Sequence, residues 1–195
     1  TLRVIDGQER EFQLKALPRP SLVDYFSMVE GKTSGLFALP MAGGASLCAP
    51  PVEIVEGLQE AARHMGVLFQ IQDDLLDLYG DKGRDGSGGD IREGKRSILA
   101  VHALENAEPG DAARLLQILD RPRAETTAAE VAEAEQIMSR AGSLRFALDE
   151  LARRKERAVN VAQLGDHQQL RTVVGAMCEQ FLEPIRSVLQ HAENR

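Results

Sequence analysis

Asp73, Asp74 and Asp77 place three carboxylates within five residues of the stretch F-Q-I-Q-D-D-L-L-D, Phe69 to Asp77. On a helix, Asp73 and Asp77 stack at i,i+4, and Asp74 adjoins Asp77 at i,i+3. Gln70 lies one turn earlier on nearly the same face. Carboxylates this close repel one another. They also fall at the C-terminal end of their helix, where the macrodipole disfavours negative charge. A solvated surface relieves the repulsion, and so does a bound cation. Hard oxygen donors of this kind suit Mg²⁺, which takes one or two carboxylates plus water and substrate phosphates.

The loop that follows is rich in glycine, from Gly80 to Gly94, and lets the backbone approach a ligand closely. Lys82, Arg84, Arg92, Lys95 and Arg96 are interleaved with its acids. Carboxylates that hold a divalent metal, beside cations that reach phosphate, describe a metal-bridged diphosphate site. The competing reading is a plain solvated acidic face, and a D-D-x-x-D string alone does not separate the two.

The longer pattern is more specific. F-Q-x-x-D-D-x-x-D, a Gly-rich loop and then G-D-I-R-E-G-K-R-S (Gly89 to Ser97) resembles the second aspartate-rich region of the trans-isoprenyl diphosphate synthases, the polyprenyl synthetase family. Upstream, Lys32-Thr33-Ser34-Gly35-Leu36-Phe37 is similar to the family's K-T-x-x-L-F segment. Gly7-Gln8-Glu9-Arg10-Glu11-Phe12 is similar to its G-Q-x-x-D-L segment, with Glu11 for Asp and Phe12 for Leu. The resemblance implies an all-α, isoprenoid-synthase-type helical bundle, a homodimer, and Mg²⁺ as cofactor. It also implies condensation of isopentenyl diphosphate with an allylic diphosphate. By matched position, Asp73, supported by Asp74 and Asp77, is expected to bind Mg²⁺. Lys32 and Lys95 are expected to hold the allylic diphosphate. Thr33 and Gln70 should lie near the allylic chain or the developing cation, with Gln8 as a further substrate contact. Asp90 should shape the closing loop.

Two departures stand out. The loop lysine that family members carry four residues before the loop aspartate is here Gly86, and Arg84 is expected to supply its charge. The family's first aspartate-rich motif has no counterpart in these 195 residues. The bundle is therefore expected to be incomplete at its N-terminus, matching the C-terminal two-thirds of a family member, and inactive by itself. A non-catalytic partner subunit of a heteromeric synthase and a terpene-cyclase relative are the alternatives.

Composition is consistent with this. A net charge of -7 and 4% aromatic residues argue against a nucleic-acid partner. No apolar run reaches the roughly 20 residues of a membrane span. Cys48 and Cys178 are read as buried thiols in a reducing compartment, and the cytoplasm is the expected location.

Residues 1–195 are read as one helical domain. Pro18 and Pro20 break the chain, and Ser21 with Asp24 makes a capping box. Pro40 with Gly43-Gly44 loosens the next segment. Pro50-Pro51 starts a long helix to about Tyr79, with Met65 and Phe69 in the core. Further helices are expected over Ser97–Leu104, Ala112–Leu119, Thr127–Ala141, Ser143–Leu164 and His167–Leu189, the last kinked at Pro184. His64 and His102 are read as ordinary histidines, without a metal-ligand partner for His64. The basic run Arg153 to Arg157 is read as a solvated face.

Overall fold

The structure, a computed structural model, describes residues 2–80 and 88–193. Among them every regular element is helical. Helix α1 (Leu2–Ala16) leads across the proline break into α2 (Leu22–Ala38). A π-helical turn (Leu39–Gly43) and α3 (Gly44–Ser46) continue α2 without interruption. Next come α4 (Val52–Tyr79), the short α5 (Gly89–Arg92), α6 (Ile98–Asn106), α7 (Pro109–Leu119) and α8 (Ala128–Arg140). The last are α9 (Ser143–Val159), α10 (Gln168–Leu182) and α11 (Arg186–Glu193).

Local chemistry sets most of these ends. Ser21 and Asp24 form a reciprocal capping box at the start of α2, and Thr127 and Glu130 form another at α8. Each such cap is worth about 1 kcal/mol. Ser97 caps α6 through the Ala100 amide. The proline at 184 breaks the last helix: a short 3₁₀ turn, Glu183–Ile185, separates α10 from α11.

Several boundaries differ from the sequence reading. Helix α7 starts at Pro109 rather than at the expected Ala112, because a proline at N1 gives up an amide that has no helical partner. Gly142, at φ 72°, caps α9, and Ser143 is its first residue. The α9 helix stops at Val159, and Ala162–Leu164 is a separate 3₁₀ turn.

The 28-residue α4 is the central rod. It buries Leu58, Met65, Leu68, Ile71 and Leu75, along with much of the rest of its surface. Its main neighbours are α2 and α9, and α2 is packed in turn against α1. Two glycines set these separations. A Cβ on Gly7 would lie 2.1 Å from the Lys32 backbone nitrogen, and one on Gly66 would lie 2.4 Å from Ser34 Cα. Helix α2 is thus held at backbone contact on both sides, at Lys32 and at Ser34.

Three expectations about burial are corrected. Phe69 is 39% exposed, and packs its ring against Phe37 and Phe181 rather than into the core. Arg154 leaves the solvated basic run: it is buried, bonds Glu150 at 2.6 Å and lies over the Phe26 ring at 4.6 Å. Cys48 is exposed, and only Cys178 is a buried thiol, its pKa pushed up to about 11 by burial.

His64 is buried between α4 and α9, and its Nε2 lies 3.1 Å from Glu60 one turn back. A carboxylate does therefore sit at helical spacing from it. Burial lowers its pKa, the Glu60 charge works the other way, and Arg154, Arg63 and Arg157 add to the lowering. The folded state then binds fewer protons than the unfolded state once pH falls below the unfolded value of about 6.5. Stability contributed by neutral His64 is present above that pH and drains away as pH drops toward the folded pKa. Thermal unfolding of His64→Gln between pH 8 and 5.5 is expected to show a shallower acid-side decline than wild type. Parallel curves would rule this contribution out.

Candidate active site

The expected site residues converge from α2, α4, α5 and the turn before α6. Thr33 Oγ1 donates to Gln70 Oε1 at 3.0 Å. Gln70 Nε2 donates to Asp74 Oδ1 at 3.1 Å. Lys95 Nζ meets the same Oδ1 at 3.0 Å and donates to Asp90 Oδ2 at 2.8 Å. The Asp90 amide donates to Asp77 Oδ2 at 2.7 Å. One continuous polar chain therefore joins Thr33, Gln70, Asp74, Lys95, Asp90 and Asp77.

The three aspartates do different things. Asp73 turns outward, with its side chain 57% exposed and Lys95 Nζ 3.7 Å away. Asp74 is 1% exposed, and four donors surround it. Gln70 and Lys95 approach Oδ1, while the Tyr25 hydroxyl and the Ile98 amide each donate to Oδ2 at 2.9 Å. Asp77 is buried and anchors the loop through the Asp90 amide. Among the described residues no three His, Cys, Asp or Glu side chains converge as a ready cation cage. The donor set fits Mg²⁺, which needs only one or two carboxylates here, with water and phosphate oxygens completing its shell. Asp73 presents the accessible carboxylate.

A second cluster lies on α1 and α2. Lys32 Nζ donates to Glu11 Oε2 at 2.6 Å, and Gln8 Nε2 donates to the same oxygen at 2.6 Å. A hollow of about 210 Å³ has Glu11, Phe12 and Met28 on one side and Glu93, Lys95 and Arg96 on the other. Glu11 and Lys95 both line it, whereas Lys32 itself does not. Arg84 lies outside the described residues, as do Lys82 and Gly86.

Burial perturbs the titration of this network. It opposes the charge on Lys95, but the fields of Asp74 and Asp90 outweigh it, so the ammonium is held above the ordinary lysine value. Burial also pushes the Asp90 carboxyl up to about 6 against the pull of Lys95, with Asp74 and Asp77 adding repulsion. Burial, and then the Asp74 charge, raise the Tyr25 phenol well above its usual value, so it stays a hydrogen-bond donor.

Known proteins of one family are similar to this chain in sequence and fold. The polyprenyl synthetase family model matches residues 1–138. The chain belongs to the polyprenyl synthetase family. A short-chain isoprenyl diphosphate synthase from Methanocaldococcus jannaschii is 35% identical over 139 residues, covering 70% of this chain and 42% of that protein. A geranylgeranyl diphosphate synthase from Saccharolobus solfataricus is 32% identical over 148 residues, 75% of this chain and 44% of its own length. A geranylgeranyl pyrophosphate synthase structure from Corynebacterium glutamicum, complexed with isoprenyl diphosphate and magnesium, superposes with a TM-score of 0.81 at 26% identity. The match covers 93% of this chain and 52% of that one. The chain spans about half the length of the family members it matches.

The family's fold is therefore the all-α bundle seen here, and no helix among the described residues is long and apolar enough to cross a membrane. Two residues matter to this site beyond those expected from the sequence. Glu11 holds Lys32 from the neighbouring helix, and its only local signal is the i,i+3 spacing that brings it to Gln8. Tyr25 holds Asp74 from 49 residues away, and nothing local in the sequence marks it.

Proposed function

We propose that this chain carries the diphosphate-holding part of an Mg²⁺-dependent trans-prenyltransferase. The reaction joins isopentenyl diphosphate to an allylic diphosphate and gives a longer prenyl diphosphate. The observation that carries this reading is Lys95, an ammonium set among Asp73, Asp74 and Asp90 and linked through Gln70 to Thr33. Family membership supports it.

Lys32 and Lys95 would bind the allylic diphosphate by charge, each held in place by carboxylates. As the allylic carbon–oxygen bond breaks, negative charge grows on the departing diphosphate, and fixed ammonium groups stabilise it there more than in the ground state. Asp73 would hold Mg²⁺, with Asp77 in support, and the bound ion supplies further charge neutralisation on the leaving group. Asp74, its oxygens already engaged, would orient rather than ligate. The Gln70 carbonyl and Thr33 hydroxyl would face the electron-poor carbon with their oxygen dipoles. Buried walls of α2 and α4 would keep water from that carbon. Homodimeric assembly belongs to the same reading and rests on the resemblance, and a cytoplasmic location rests on the two free cysteines.

The test is a prenyl-transfer assay on the full protein that contains this chain, with Mg²⁺, isopentenyl diphosphate and each of the common allylic diphosphates. Elongated product is expected, lost on chelation. Asp73→Ala is expected to lower the rate roughly a hundredfold or more, the scale seen when a charge-stabilising group is removed. The absence of elongation with any allylic donor would overturn the proposal, as would an unimpaired Asp73→Ala.

A further inference from the structure

Asp74 is the most buried carboxylate of the site, with a side chain at 0% exposure, and every contact it makes is to a donor. Two of those donors, Gln70 and Lys95, are expected site residues and form the front pair. The other two, the Tyr25 hydroxyl and the Ile98 amide, form the back pair. The back pair shares one oxygen, Oδ2, and the front pair shares the other, Oδ1. A carboxylate is planar, so fixing Oδ2 fixes where Oδ1 points.

Tyr25 suits this task. It is 1% exposed and packs edge-on against Phe26 at 5.5 Å, with Arg154 on the Phe26 ring. Its ring therefore has little freedom. The Ile98 amide is set by the start of α6, whose N-cap is Ser97. Of the two back donors, Tyr25 is the one a side-chain substitution can remove.

We propose that Tyr25 is a positioning residue: through Asp74 it fixes Lys95 and Gln70 in the arrangement that receives a diphosphate. The inference rests on the reading of this site as a diphosphate site. Tyr25 touches neither substrate nor metal. Its action is transmitted through a single carboxylate, which makes its contribution conditional on Lys95.

That condition gives the experiment. Inorganic pyrophosphate with Mg²⁺ serves as the probe, and its binding to the full protein is measured by calorimetry for wild type, Tyr25→Phe, Lys95→Met and the double variant. Tyr25→Phe keeps the ring and its packing and removes one hydroxyl. It is expected to weaken pyrophosphate binding roughly tenfold, the scale of coupling within one hydrogen-bonded network. In the Lys95→Met background the same change is expected to shift binding less than twofold. Losses that simply add would mark Tyr25 as structural and overturn the inference, as would unchanged binding in Tyr25→Phe. Where the obvious variant folds poorly, Phe26→Leu gives a second reading: it disturbs the same packing without touching Asp74, and its loss should persist unchanged in the Lys95→Met background. Non-additive pyrophosphate binding without prenyl transfer would sink the proposed reaction and leave this inference standing. Prenyl transfer with additive losses would do the reverse. A wild-type protein that binds no pyrophosphate would overturn both.

Discussion

Lys95→Met is expected to lower kcat/KM for the allylic diphosphate by a factor of roughly 10² to 10³. The side chain keeps its length and loses its charge. Its position explains the size of the effect: the ammonium lies 3.0 Å from Asp74, 2.8 Å from Asp90 and 3.7 Å from Asp73, with only 20% of the side chain exposed. Without it the site presents three carboxylates to an incoming diphosphate and no cation among them. Stability should fall as well. Breaking a buried pair by removing one partner costs about 3–5 kcal/mol, because the other charge is left behind. Here the lower end applies, since Asp74 keeps three neutral donors and Asp90, freed of the downward pull of Lys95, protonates more readily still. Steady-state kinetics and calorimetric unfolding check the two parts separately. Activity within threefold of wild type would mean that Lys95 does not hold the diphosphate.

Gly66→Ala is expected to be a strongly destabilising methyl addition at the α2–α4 contact. The new Cβ would sit 2.4 Å from Ser34 Cα and 2.7 Å from Ser34 N. Both are backbone atoms, so no side-chain rotation relieves the clash and the two helices must separate. Alanine gains about 1 kcal/mol over glycine in helix propensity. Overpacking against a rigid partner costs about 3 kcal/mol or more and decides the sign. For a chain of this size a net loss of about 2 kcal/mol lowers Tm by roughly 4–8 °C. The separation would also stretch the Thr33–Gln70 hydrogen bond one position along from Ser34. Gly44→Ala is the control: a Cβ there meets nothing within 4 Å and should be neutral or slightly stabilising. Equal melting behaviour for the two variants would refute the close-contact argument.

The ends of the elements were the legible part of this fold, because caps and prolines act within a few residues. Ser21–Asp24, Thr127–Glu130 and the prolines at 18, 20, 50, 51 and 184 each mark a boundary near where the chain has one. Burial was less legible, because it depends on neighbours that sequence distance hides. Arg154 looked like one of four surface cations until α2 brought Phe26 over it. Phe69 looked like core, but its side of α4 meets an aromatic group that leaves it half in solvent.

The site was legible as a set of residues and less so as a division of labour. Adjacent positions on a helix point about 100° apart, so Asp73 and Asp74 cannot serve one ligand equally. Asp74 falls on the buried stripe, three residues after Ile71 and four before Leu78. That spacing was readable. What sat behind it was not, since Tyr25 arrives from another helix. The contact of Glu11 with Gln8 could be anticipated from their i,i+3 spacing, but the reach of Glu11 to Lys32 could not.

The π-helical turn at Leu39–Gly43 alters the phase of everything after it. A side-chain stripe stepping by four residues creeps around an α-helix by about 40° at each step. A turn that takes up an additional residue winds that creep back. Ser34 and Ala42, two such steps apart, are both buried, and the π turn itself packs against α4. The wall that begins at Thr33 and Ser34 therefore stays aimed at α4 for longer than a regular helix would allow. Insertions and deletions between 39 and 43 consequently act as rotations: one residue gained or lost would turn α3 by about 100° relative to the lysine and threonine upstream.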